Sequence, residues 1–219
     1  LCKTLSPLAQ RLGAVNVLVP HADGGWFGTN TDVEGFCRPL RDAESGWNGR
    51  RALVLGCGGS ARAVVAGLIE LGCSCVEIAG RRNEALITFQ RECLDWAPQL
   101  KTVCLSDETA LATSLEQADL VVNTTPVGMA SPNDPNAALA SPLSPNLIGR
   151  LKQESWVYDI IYTPRPTRLL QLATNHGCRS IDGLEMLVQQ GAAALRLWSG
   201  RDDVPVAAMR DAAIQQLTT

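Results

Sequence analysis

Arg51-Ala-Leu-Val-Leu-Gly-Cys-Gly-Gly-Ser-Ala61 is the stretch that decides the fold. Arg51 to Leu55 is a short, continuous apolar run, as expected of a strand buried on both faces of a parallel sheet. Gly56 to Ala61 then fits G-x-G-x-x-[G/A], and a helical pattern from Arg62 to Leu71 stops at Gly72. Gly56 permits a tight turn, Gly58 lets the main chain approach a pyrophosphate, and Ala61 is small enough for helix to pack on strand. The free N–H groups at the helix start then face the anion, and Cys57, Gly59 and Ser60 count with Gly56, Gly58 and Ala61 as cofactor-binding residues. The bland alternative is a strand-to-helix turn that binds nothing.

Working outward, the alternation continues. Strands are expected at 75–79, 102–105, 120–123, 156–161 and 178–181, and helices at 83–95, 108–117 and 167–175. This spacing argues an α/β protein with a doubly wound parallel sheet. Two segments fall outside it. Residues up to about Asp32, with Val15-Asn-Val-Leu-Val19, read as the end of another domain, and residues 184–198 and 204–217 read as long helices. Ala130 to Pro145, rich in Pro, Ser, Asn and Ala, is a surface loop beyond a strand end, at a substrate or cofactor margin.

The chain has 219 residues, 46% apolar and 19% charged, with a net charge of −3, which allows a real core and argues against nucleic acid gripped through overall charge. No apolar run approaches the ~18 residues of a membrane helix. The eight cysteines contain no C-x-x-C pair, and His21 and His176 have no ligand spacing. The thiols therefore read as core residues of a cytoplasmic protein, no metal is expected, and both histidines read as exposed residues of a turn and a helix end. No G-x-S-x-G elbow supports a serine hydrolase.

An acid at the end of the second strand would select NAD, but Gly80-Arg81-Arg82 stands there. Two guanidiniums favour a 2′-phosphate and hence NADP. Glu77 lies three residues short of the turn and reads as a strand residue.

Six strings occur in order: Gly13-Ala-Val-Asn16, Gly28-Thr-Asn-Thr-Asp32, the glycine turn, Asn123-Thr-Thr-Pro-Val-Gly-Met129, Tyr158-Asp-Ile-Ile-Tyr162 and Asp182-Gly-Leu-Glu-Met-Leu-Val-Gln-Gln190. Together they resemble the NADP-dependent shikimate dehydrogenase family over nearly the whole chain. The resemblance implies a Rossmann-type doubly wound sheet, plus the remnant of an N-terminal α/β substrate domain completed by the C-terminal helices. It divides the chain into 1–31, 32–183 and 184–219. It also implies reversible reduction of 3-dehydroshikimate to shikimate by NADPH. Asn16, Asp32, Tyr162 and Gln190 match substrate contacts, with Asp32 beside the reacting C3 oxygen and assigned as catalytic. Ile160 and Gly183 match positions lining the nicotinamide. Arg81, with Arg82 beside it, matches the 2′-phosphate contact, and Thr124, Thr125, Pro126 and Val127 lie along the cofactor. Taken singly, Asn16 reads as a turn cap, Asp32 as an N-cap and Gln190 as an exposed helix residue.

The family's Val-Thr-x-Pro-x-Lys segment and its Ser-x-Ser contact do not occur here, and Lys3 is not assigned the lysine's role. The chain starts without methionine, in mid-pattern, which reads as a start inside a larger protein. The expectation is that these 219 residues alone oxidise almost no shikimate. A quinate/shikimate dehydrogenase and a non-catalytic dinucleotide-binding module stay open as alternatives. The partner is a small molecule, and a monomer or homodimer is expected.

Overall fold

The computed structural model describes residues 2–21, 23–44 and 46–217. Its contacts divide the chain into two compact units, one of residues 1–45 with 184–219 and one of residues 46–183.

The first unit opens with β1 (Cys2–Leu5), α1 (Pro7–Leu12), β2 (Val17–Pro20), β3 (Trp26–Thr29) and α2 (Asp32–Ala43). Ser6 caps α1 by accepting the Ala9 amide, and Gly13 ends it in the left-handed region at φ 62°, a conformation that costs glycine little. The small sheet has the order β1-β3-β2, with β1 parallel and β2 antiparallel to β3.

The second unit alternates strand and helix: β4 (Arg51–Leu55), α3 (Gly59–Glu70), β5 (Cys75–Gly80), α4 (Asn83–Cys93), β6 (Lys101–Cys104), α5 (Glu108–Gln117), β7 (Leu120–Asn123), α6 (Pro145–Ile148), β8 (Trp156–Asp159), α7 (Arg168–Asn175) and β9 (Arg179–Ile181). All six strands are parallel, in the order β6-β5-β4-β7-β8-β9. This is the doubly wound Rossmann order, and the chain reverses direction across the sheet between β4 and β7. The apolar runs are apolar because both faces are covered. Leu53, Val54 and Leu55 on β4 and Leu120, Val121 and Val122 on β7 are at most 1% exposed. Each such side chain contributes about 1.5–3 kcal/mol by leaving water. Local chemistry sets the helix starts: Asp107 accepts the Ala110 amide at 3.0 Å ahead of α5, and Thr167 accepts the Leu170 amide ahead of α7.

The chain returns to the first unit with α8 (Leu184–Ser199) and α9 (Val206–Leu217). Helix α8 lies against α2 so closely that a Cβ on Gly35 would stand 2.8 Å from the Met186 carbonyl and the Gln190 Cβ.

Three expectations shift. Residues 32–45 group with the first unit instead of opening the second, because α2 buries Val33, Phe36, Cys37 and Leu40 and packs on α8. Helix α3 begins at Gly59, three residues earlier than its apolar pattern, with no side-chain cap. The strand expected over 156–161 stops at Asp159, because the Ile161 amide turns to the Asp159 carboxylate instead of a neighbouring strand. Among the described residues, no helix is long and apolar enough to cross a membrane.

Candidate functional site

A cleft of about 390 Å³ opens at the carboxyl ends of β4, β5 and β7, where an open parallel sheet binds its ligands. Gly56 leaves β4 at φ 101°. A Cβ there would meet the Thr124 Oγ1 at 2.8 Å and the Thr125 Cγ2 at 2.9 Å, so only glycine lets the two loops touch. At Gly58 and Gly59 the Cβ positions face open space with nothing within 4 Å. That is room for a ligand to approach bare main chain at the start of α3, where unpaired amides and the helix dipole favour an anion. The residues present therefore fit a dinucleotide.

The structure brings Gly56, Cys57, Gly58, Arg81, Arg82, Thr124, Thr125, Pro126 and Val127 together around this cleft. Arg81 and Arg82 are exposed beyond the end of β5, and Glu77 stays within that strand, off the cleft, in register with Leu53 and Lys101. Gly59 and Ser60 form the exposed first turn of α3, whereas Ala61 is wholly buried on its inner side. Ile160 and Gly183 lie outside the cleft lining but against each other: a Cβ on Gly183 would fall 2.0 Å from the Ile160 carbonyl oxygen. Tyr162 is 42% exposed and belongs to this unit.

The other candidate substrate residues lie in the first unit. Asp32 is the first residue of α2, and Thr31, not Asp32, occupies the N-cap. Its carboxylate accepts the Asn16 amide at 2.8 Å and the Asn30 amide at 3.5 Å, and its own N–H donates to the Asn30 side-chain oxygen at 2.9 Å. The Asn16 side-chain oxygen accepts the Thr31 amide at 3.0 Å. Asn16 thus ties the residues before β2 to the β3–α2 turn instead of only capping its own. Burial raises the Asp32 carboxyl above the usual carboxylate value, and the amide bonds from Asn16 and Asn30 oppose the rise. Gln190, half-buried on α8, rests against Gly35, one turn along α2 from Asp32.

The sequence reading did not single out several residues that matter here. Gly80, Ala85, Leu105, Ser141 and Pro142 complete the cleft, the last two from the loop expected at a ligand margin. Asn30 and Thr31 lie in the Gly28–Asp32 string, but the bonds of Asn30 to Asp32 and of Thr31 to Asn16 depend on a turn the string does not reveal. Asp159 has no role legible in its string, yet it is wholly buried and holds three donors. Cys2, Cys57 and Cys104 are half-buried, not core residues, and both histidines are half-buried instead of exposed, with the His176 ring bonded to the Leu151 carbonyl at 3.0 Å. Lys3 donates to the Asp23 carbonyl.

Known proteins resemble this chain in sequence and fold. The family "Shikimate 5′-dehydrogenase C-terminal domain" matches residues 183–214. A shikimate dehydrogenase (NADP(+)) from Synechocystis sp. is 47% identical over 215 residues, which are 97% of this chain and 71% of that protein. The crystal structure of shikimate 5-dehydrogenase from Thermus thermophilus in complex with NADP(H) and shikimate is 35% identical, with a TM-score of 0.81 over 99% of this chain and 73% of that one. Quinate dehydrogenase from Corynebacterium glutamicum in complex with NAD is 28% identical, with a TM-score of 0.83 over 99% of this chain and 72% of that one. On its sequence and on its fold, this chain belongs to the shikimate dehydrogenase family.

Proposed function

We propose that the chain serves the reversible reduction of 3-dehydroshikimate to shikimate, with NADPH as the hydride source. The observation that carries this reading is the glycine turn at Gly56, flanked by Arg81 and Arg82 where an NAD-binding chain would put a carboxylate. Planar guanidiniums pair with phosphate oxygens and stay charged, which suits the 2′-phosphate of NADP. When bound, NADPH supplies the hydride. Amides from Cys57, Gly59 and Ser60 hold the pyrophosphate, Ala61 lets α3 pack close to β4, and Thr124 to Val127 form a wall along the nucleotide. Ile160 and Gly183 lie at the nicotinamide.

Asn16, Asp32, Tyr162 and Gln190 read the substrate. Shikimate is a small polyhydroxy acid, so amide and carboxylate groups are natural partners for its hydroxyls. Asp32 acts on the reacting C3 oxygen: in the oxidation direction its acceptor-only carboxylate takes the shikimate C3 hydroxyl as a donor and fixes its direction for a neighbouring base that removes the proton as hydride leaves C3. Its partial burial, with two amide partners, keeps the side chain in one orientation. The eight free thiols suit a reducing cytoplasm.

Fluorescence titration of the 219-residue polypeptide with NADPH tests the cofactor part. Saturable binding that is much weaker for NADH supports it, and an intact fold with no response to NADPH refutes it. Initial rates with shikimate and with quinate, measured on a version that also carries the family's Val-Thr-x-Pro-x-Lys and Ser-x-Ser segments, then test the substrate, and a preference for quinate would move the chain to the quinate branch.

A further inference from the structure

We infer that Asp159, which lines no part of the cleft, is a positioning residue that fixes the cofactor wall at 124–127 through the side chain of Asn123. Asn123 ends β7 and Asp159 ends β8, directly opposite in register, and both are 0% exposed. The Asn123 amide nitrogen donates to the Asp159 Oδ1 at 3.0 Å, which also accepts the Ile161 amide at 3.2 Å. The Asp159 Oδ2 accepts the Thr167 hydroxyl at 2.7 Å. A carboxylate can only accept, so it admits one orientation of the Asn123 amide, with nitrogen toward Asp159 and oxygen toward the cleft.

That oxygen is used twice. It accepts the Thr125 amide at 3.0 Å and the Thr125 hydroxyl at 2.7 Å, and the Thr125 Oγ1 in turn accepts the Val127 amide at 3.2 Å. Thr125, together with Thr124, also fills the space left by the missing side chain of Gly56. One buried carboxylate therefore sets the path of the wall, while its Oδ1 also holds the Ile161 amide and its Oδ2 holds the hydroxyl of Thr167, the N-cap of α7. Turning the Asn123 amide over would set two donors against the Thr125 amide and leave Thr125 without its acceptor. The relay rests on the proposed binding of NADPH along residues 124–127.

The test is a double-mutant cycle on NADPH affinity. Asp159→Asn keeps the shape but lets the side chain donate as well as accept, and it removes the charge that assists the Asn123 bond. Thr125→Val removes the hydroxyl at the cleft end of the relay. Each change is expected to raise the NADPH dissociation constant about tenfold, the scale of one charge-assisted hydrogen bond. The double variant is expected to be no worse than either alone, because both break one chain of contacts. Thr125→Ser should restore binding, and amide exchange at Thr125 and Val127 should quicken in Asp159→Asn without any ligand.

Additive losses, or unchanged exchange at Thr125, overturn the relay and leave the proposed function standing. A wild-type chain that exchanges as expected but never binds NADPH overturns the function, and with it the role of Asp159 in binding. If Asp159→Asn does not fold, Thr125→Val decides: affinity lost and recovered with serine supports the relay, and affinity unchanged overturns it.

Discussion

Arg81 and Asp159 carry different kinds of charge, and each difference is measurable. Arg81 is exposed at the cleft rim, so Arg81→Ala should leave the fold intact and weaken NADPH by tenfold or more. NADH lacks the 2′-phosphate and should lose little. Paired fluorescence titrations check this, and an equal loss for both nucleotides would make Arg81 structural only. Asp159 is the opposite case, a carboxyl whose pKa burial pushes up to about 6, against hydrogen bonds from Thr167, Ile161 and Asn123 that lower it. Its folded value lies above its ordinary 3.8, so its stabilising contribution is full below that value and is lost as pH rises through about 6. Wild type should therefore gain about 2 kcal/mol on Asp159→Asn when urea unfolding is moved from pH 7 to pH 4.5. A gap between the two proteins that does not change with pH would show that the carboxyl does not titrate in this range.

At the scale of elements, the contact of α2 with α8 turns on one missing methyl group. Alanine is the better helix former, so Gly35→Ala would stabilise an isolated α2 by about 1 kcal/mol. Here the new Cβ would stand 2.8 Å from the Met186 carbonyl, which is main chain and cannot swing away. The two helices must separate, and a net loss of about 1–3 kcal/mol is expected in urea unfolding. Gln190 meets the same methyl, so shikimate affinity should fall with stability, whereas NADPH affinity should not change. Strands β4, β5 and β7 were legible because strands buried on both faces are written as mostly apolar runs. Less legible were the ends. Gly59 and Ser60 are poor helix formers, yet they belong to α3, because its first turn has no intrahelical amide bonds to lose. The stop at Asp159 was hidden for another reason: it depends on a side chain that competes for the Ile161 amide.

Across the whole molecule, the two units differ in what the sequence disclosed. In residues 46–183 the glycine turn and Arg81 are local strings, readable in place. The bond from Asn123 to Asp159 spans 36 residues, and only strand order and register create it. In the other unit Asn16 and Asp32 were legible only through the family's order of strings, and their mutual hydrogen bond depends on the path between β2 and α2. The contact boundary falls after α2 because α2 directly precedes β4 in sequence but packs on α8, far along the chain. The division predicts a ligand map that hydrogen exchange can read without any substitution. A ligand that binds only the folded state protects the amides it contacts and, at a hundred times its dissociation constant, stabilises by about 2.7 kcal/mol. NADPH should slow exchange at 56–61 and 124–127, and shikimate at 14–16 and 30–35. Protection by NADPH centred on Asn16 and Asp32, with the Gly56 turn unchanged, would reverse the assignment of nucleotide and acid to the two units.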